Sequence, residues 1–153
     1  TKIQAALLPV ALSGKDCLGQ AKTGTGKTAA FALPMLARLN PDEPFSGLVL
    51  VPTRELAIQV AKEFHEFARH SGHSVVAVYG GKPIRSQIEK LSKGAEIVIG
   101  TPGRVLDHIS RGTLNLHDLC CIVLDEADAA RISLPLCGSI KEVIKGIKVE
   151  RGE

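Results

Sequence analysis

The chain has 153 residues, 44% hydrophobic and 23% charged, and its 19 basic and 16 acidic side chains leave a formal charge of +3. That is long and apolar enough for one domain with its own core, which excludes a disordered chain and one that depends on disulfides or metals to fold. No apolar run approaches the roughly 18–20 residues of a membrane helix, the opening Thr1-Lys2-Ile3-Gln4 is no signal peptide, and four Phe with one Tyr are too few for a base-stacking platform.

In chain order, short apolar runs alternate with longer amphipathic ones. The first predicted strand, Asp16–Gly19, leads into the glycine-rich run 21–28 and a helix over Lys27–Leu39, and Asn40-Pro41-Asp42-Glu43-Pro44 is a surface loop. Strand Leu48–Val51 precedes a helix over Arg54–His70. That helix places Ala57, Val60, Ala61, Phe64, Phe67 and Ala68 on one stripe and leaves Lys62, Glu63, Glu66 and Arg69 outside it. Strand Val75–Tyr79, helix Pro83–Ser92, strand Ile97–Gly100, helix Arg104–Arg111 and strand Cys121–Leu124 follow, with a last helix over about Ile140–Ile147. Strands this apolar are covered on both faces, and their alternation with helices predicts an α/β fold: a parallel sheet with helices on both faces. His65, His70 and His73 lack an acid or Cys at metal-ligand spacing and read as a solvated helix end. Cys17, Cys120, Cys121 and Cys137 form no Cys-x-x-Cys pair and read as buried thiols of a reducing, cytoplasmic setting.

Ligands collect where the strands of such a sheet end, so the residues just after each strand carry the chemistry. After the first strand stands Ala21-Lys22-Thr23-Gly24-Thr25-Gly26-Lys27-Thr28, a phosphate loop that opens a helix. Gly24 and Gly26 let successive N–H groups turn onto phosphates, Lys27 reaches the β- and γ-phosphates, and the Thr28 hydroxyl holds Mg²⁺. The fifth strand ends in Asp125-Glu126, the complement of such a loop: Asp125 for Mg²⁺, usually through water, and Glu126 to activate the attacking water. Hydrolysis of ATP or GTP is the class.

The intervening strands end in Pro52-Thr53-Arg54-Glu55-Leu56, Gly80-Gly81-Lys82-Pro83 and Thr101-Pro102-Gly103-Arg104. Thr53 and Thr101 suit helix N-caps, and Pro83 and Pro102 suit first turns. Three basic or glycine-rich helix starts along one edge point to a phosphodiester backbone, which amides and arginines grip without reading bases.

Ala21–Thr28, Pro52–Leu56, Gly80-Gly81, Thr101–Arg104 and Asp125-Glu126-Ala127-Asp128, in this order, resemble the DEAD-box RNA helicases from residue 1 to about 128. The fold implied is a RecA-like P-loop NTPase domain. Thr1-x-Ile3-Gln4 resembles the end of that family's adenine-reading motif, so Gln4 implies ATP rather than GTP. The resemblance assigns Pro52, Thr53, Arg54, Glu55, Gly80, Gly81, Thr101, Pro102, Gly103 and Arg104 to the RNA backbone, one strand of which the family bends, and Asp128 to coupling between domains.

The chain also departs from that pattern. It begins inside the adenine-reading motif, Ala129–Ser139 replaces the family's usual continuation and carries a Pro135 poorly suited to a helix, and the Ser-Ala-Thr motif is missing. Residues 1–153 are therefore expected to form the first RecA-like domain, incomplete at both ends, with the second RecA-like domain absent. The expected function is an ATP-dependent RNA helicase segment that hydrolyses ATP when a second domain completes it. The alternative is a nucleotide- and RNA-binding module without productive hydrolysis.

Overall fold

Apolar strands without alternation must be covered on both sides, and the computed structural model, which describes residues 1–12, 17–20, 26–126 and 129–133, has that arrangement. The elements are α1 (Lys2–Leu12), β1 (Cys17–Gln20), α2 (Lys27–Arg38), β2 (Gly47–Leu50), α3 (Arg54–Phe67), β3 (Val75–Val78), α4 (Ile84–Ser92), β4 (Ile97–Gly100), α5 (Pro102–Ser110), β5 (Cys121–Glu126) and β6 (Ala129–Ser133). The sheet order is β1-β6-β5-β2-β4-β3. The four adjacent strands β5, β2, β4 and β3 are parallel, with Val49 opposite both Ile99 and Val123. β6 runs antiparallel to both β5 and β1, so β1 points the same way as the parallel set.

Successive residues of each strand feed two cores. Val49, Val51, Ile97, Ile99 and Val123 pack beneath α1, α2 and α3, where Phe31 and Phe64 meet with ring centroids 6.0 Å apart. Leu48, Leu50, Val76, Val78, Val98 and Ile122 face α4 and α5 through Leu91, Val105 and Ile109. The helices change face where the chain changes direction. It steps outward from β1 through β2 to the edge strand β3, then returns through β4 to β5. A crossover of fixed hand puts outward helices on one face and returning ones on the other.

Two elements were not expected from the sequence. α1 buries Ile3 and Leu7, one turn apart, and carries Pro9 inside it. β6 falls in the stretch read as irregular, and it is the one described strand that breaks the expected parallel pattern. The expected helix over 140–147 lies outside the described residues, as does Pro135. Other readings need correction. Phe67, the last residue of α3, is 39% exposed, while Phe64 and Ala68 of the same stripe are buried in the core. Cys120 is exposed while Cys121 is buried, and Cys17 and Cys137 lie outside what is described of side chains. Two of the three clustered histidines are structural ties: the Nε2 of His65 bonds Val75 O at 3.1 Å, and His73 bonds Leu39 O and Ser71 Oγ.

Several buried polar groups are matched. Glu96, 2% exposed, accepts from Asp42 N at 2.8 Å and Ser74 N at 3.0 Å, and so holds Asp42 at its left-handed φ of 64°. His108, fully buried on α5, lies with Nε2 3.2 Å from Gln87 Oε1 and Nδ1 2.7 Å from Thr113 Oγ1. Gln87 Nε2 donates to Tyr79 O at 2.8 Å, which fixes the amide and leaves Oε1 to accept from the His108 Nε2–H. Burial, and then the positive charge of Arg104, hold the His108 imidazole below its ordinary 6.5, with Asp107 opposing and Arg111 reinforcing.

Two outcomes are expected of the fold. The depressed imidazole means that the unfolded chain binds more protons as pH falls from about 6.5 toward the folded value. Stability is therefore complete above that window and lost within it, by at most about 1.4 kcal/mol per pH unit for one proton. Urea unfolding at several pH values should give His108→Gln a shallower acid limb than wild type; equal slopes would remove His108 from the account. A Cβ on Gly100 would lie 2.5 Å from Val105 Cγ2 and 2.8 Å from Val78 O. Gly100→Ala should thus cost about 1–3 kcal/mol in the same assay. Gly80→Ala, into open space, should stay within about 0.5 kcal/mol.

Candidate functional site

Because β1, β5, β2, β4 and β3 all point the same way, the chain leaves each of them at one edge of the sheet. Along that edge the ends of β1 and β5 occupy one part, and the loops after β2, β4 and β3 the other.

At the first part, Gly26 precedes α2 in a left-handed conformation, φ 79°. From α1, Gln4 Nε2 donates to Gly26 O at 3.2 Å, and a Cβ on residue 26 would collide with that amide nitrogen. The glycine thus serves both the turn and the close approach of Gln4. Lys27 opens α2, is 8% exposed, and places Nζ 3.0 Å from Oδ1 of Asp125, which is 1% exposed. The two charged groups are in ion-pair range. Burial raises the Asp125 carboxyl above its ordinary range, and Lys27 pulls it back. Thr28 follows on the helix, half-buried. Ala21, Lys22, Thr23, Gly24, Thr25 and Asp128 lie outside the described residues; Glu126 ends β5, with no side chain described.

This donor set fits a polyphosphate with Mg²⁺. A lysine at a helix start suits phosphate oxygens, and a buried carboxylate together with the Thr28 hydroxyl suits a hard cation. No group of three or more His, Cys, Asp or Glu side chains could hold a metal among the described residues.

At the second part, Thr53 caps α3, its Oγ1 accepting from Leu56 N at 3.2 Å. Arg54 and Glu55 are exposed and 3.8 Å apart, a solvated pair of little energetic weight, and Pro52 is half-buried. Gly81 has φ +84°, and a Cβ there would lie 2.5 Å from Arg54 Nη1, so the guanidinium occupies the space the glycine leaves. Gly80 is exposed. Thr101 takes the cap position of α5 without a side-chain bond, its N–H donating to Val78 O at 3.1 Å. Pro102 is buried in the first turn, Gly103 is half-buried, and Pro83 caps α4 rather than entering it. Arg104 Nη1 donates to Lys82 O at 3.0 Å and to Gln87 Oε1 at 3.1 Å. The loop after β3 is therefore bonded by Arg104 at Lys82 and approached closely by the Arg54 guanidinium at Gly81.

Sequence reasoning missed Gln87 and His108. Their signal was a polar side chain on an inward stripe: Gln87 is the one buried residue of α4, and His108 sits beside Val105 and Ile109 on α5.

A family model described as DEAD/DEAH box helicase matches residues 1–147. Among curated proteins, the DEAD-box ATP-dependent RNA helicase CshA of Bacillus subtilis is 43% identical over 151 residues, 98% of this chain and 30% of the relative. The protein of the same name from Bacillus cereus is 52% identical over 129 residues, 84% of this chain and 25% of the relative. The chain thus spans between a quarter and a third of these relatives. Among solved structures, a DEAD box protein from the hyperthermophile Methanococcus jannaschii matches with TM-score 0.76 and 46% identity, covering 83% of this chain and 35% of that one. The RNA helicase Prp28 from Chaetomium thermophilum, bound to ADP, matches with TM-score 0.74 and 43% identity, over 83% and 32%. By that family match over most of its length and these structural likenesses, this chain belongs to the DEAD/DEAH box helicases, and its fold is their RecA-like domain.

Proposed function

We propose that this chain is the ATP-loading part of an ATP-dependent RNA helicase, binding ATP-Mg²⁺ and the RNA backbone and hydrolysing ATP once a second RecA-like domain closes on it. The observation that carries the reading is the buried Lys27–Asp125 pair, on the same sheet edge as the loops that carry Arg54 and Arg104. A buried ion pair gives little net stability, because desolvation offsets its attraction. Here both charges have an exchange partner in a magnesium nucleotide.

Each residue then has a task. The amides of Ala21–Gly26 cradle the phosphates, with Lys22, Thr23, Gly24 and Thr25 between them. Lys27 exchanges the Asp125 carboxylate for the β- and γ-phosphates, so its ammonium stays paired as the nucleotide enters. Thr28 and Asp125 hold Mg²⁺, which supplies charge neutralisation on the phosphates when bound. Glu126 orients the attacking water and accepts its proton. Gln4, seated against Gly26 O, faces the adenine. Pro52, Thr53, Arg54, Glu55, Gly80, Gly81, Thr101, Pro102, Gly103 and Arg104 hold the RNA backbone, and Asp128 couples the two domains.

Two measurements test this. In calorimetric titrations with Mg²⁺, the chain should bind ADP and ATP and discriminate against GTP, and Lys27→Ala should remove most of the affinity; equal binding of GTP would sink the adenine assignment. The second concerns turnover. In related NTPases an arginine finger adds about 10³–10⁵ in rate. Arg54 sits over Gly81, and Arg104 is tied to Lys82 and Gln87. Steady-state phosphate release by the 153-residue chain should therefore be negligible and insensitive to RNA. Fusion to a DEAD-box second domain should bring RNA stimulation. Robust RNA-stimulated turnover without that domain would show that the catalytic arginine is misplaced here.

A further inference from the structure

We infer that Gln87 is a positioning residue for the RNA-facing edge: its buried side-chain amide locks the Arg104 guanidinium and joins the loop after β3 to the loop after β4. This rests on the reading of that edge as a phosphodiester site. None of the motifs includes Gln87, which lies mid-way along α4, 4% exposed, among half-buried apolar neighbours.

Donor and acceptor chemistry fixes the orientation of the Gln87 amide. Tyr79 O can only accept, so the Gln87 nitrogen must face it; Arg104 can only donate, so the Gln87 oxygen must face Arg104. That oxygen also takes the His108 Nε2–H, and Nδ1 of the same ring lies 2.7 Å from Thr113 Oγ1. Arg104 Nη1 carries two hydrogens and has two acceptors, Gln87 Oε1 and Lys82 O. Both hydrogens are used, and the plane of the guanidinium is set. The Nη2 and Nε hydrogens remain for an anion, presented as a rigid fork. Tyr79 and Lys82 bracket Gly80-Gly81, so one amide ties the ends of that turn to the arginine of the next loop.

Preorganisation of this kind raises affinity by removing the cost of ordering a long side chain at the moment of binding. It also predicts that Gln87 acts on RNA only through Arg104, a dependence that a merely structural residue would lack.

The experiment has a ligand-free arm and an RNA arm. In ¹⁵N-edited NMR of the wild-type chain, Arg104 should show resolved, slowly exchanging Nη signals, whereas exposed Arg38 should show averaged ones. Gln87→Met should average the Arg104 signals, and Gln87→Glu, which keeps an acceptor for Arg104, should preserve them. In the second arm, fluorescence anisotropy follows a short labelled oligouridine at fixed salt. Arg104→Ala and Gln87→Met should each weaken binding about three- to tenfold, the range for partners in one hydrogen-bond network. The double variant should bind no more weakly than Arg104→Ala alone.

Averaged Arg104 signals in the wild type would overturn the proposal, and so would a Gln87→Met loss that adds in full to that of Arg104→Ala. Should Gln87→Met fail to fold, the wild-type signals and Gln87→Glu still decide. If Arg104→Ala binds oligouridine as wild type does while the signals behave as expected, the positioning stands and the assignment of this edge to RNA falls.

Discussion

A sheet buried on both faces has no room for chemistry within it, and everything else in this molecule follows from that constraint. β2 and β4 are buried at every residue, and the side chains above and below them are aliphatic or aromatic. Water, phosphate and metal can be met only where the strands stop. The parallel sense of β5, β2, β4 and β3 puts those stops on one edge, at the starts of helices whose first N–H groups have no partner within the helix. The site is thus a consequence of burying the sheet rather than an addition to it.

Strand order then divides the edge. β6 lies between β1 and β5, so those two strands are separated by two strand spacings, roughly 10 Å. Lys27, in the first turn of α2, brings its ammonium to Asp125 of β5. The proposed RNA loops follow β2, β4 and β3, on the other side of β5. A nucleotide and a backbone could be held at once without competing for the same amides. Asp125 and the loop after β2 leave neighbouring strands in register, Leu50 opposite Leu124, so the two halves adjoin.

How much of this the sequence disclosed depends on whether a feature is local. The strands β2 to β5 were legible because an apolar run needs no partner to be recognised, and the glycine-rich run and Asp125-Glu126 because phosphate chemistry needs those residue types at short spacing. α1 was missed because Pro9 weakens its helical pattern and only Ile3 and Leu7 mark its inner face. β6 was missed because Ala129, Ala130, Arg131, Ile132 and Ser133 hold one β-branched apolar residue, and their strand state comes from neighbours on both sides. Gln87 and His108 are a third kind. Each was visible as a polar residue on an inward stripe, but their partners, Tyr79 O and Arg104 among them, come from other elements. No spacing rule carries such a contact.

The positive-φ glycines of the edge show how distant segments were brought together. Glycine at a ligand loop is usually credited with flexibility, yet at two of these positions the missing Cβ is replaced by another segment's side chain. The Gln4 amide fills the space beside Gly26, and the Arg54 guanidinium fills that beside Gly81. Both glycines pay the entropic cost of ordering an unusually free residue, and each thereby seats a polar group from an element tens of residues away. The same logic explains why Gly80, next to Gly81, has open space around it while Gly81 does not. Of the two adjacent glycines, Gly81 is the one into which an arginine is packed. An edge built this way is held in place by the side chains that occupy its glycine positions, so its readiness for a ligand is a matter of packing as much as of motif.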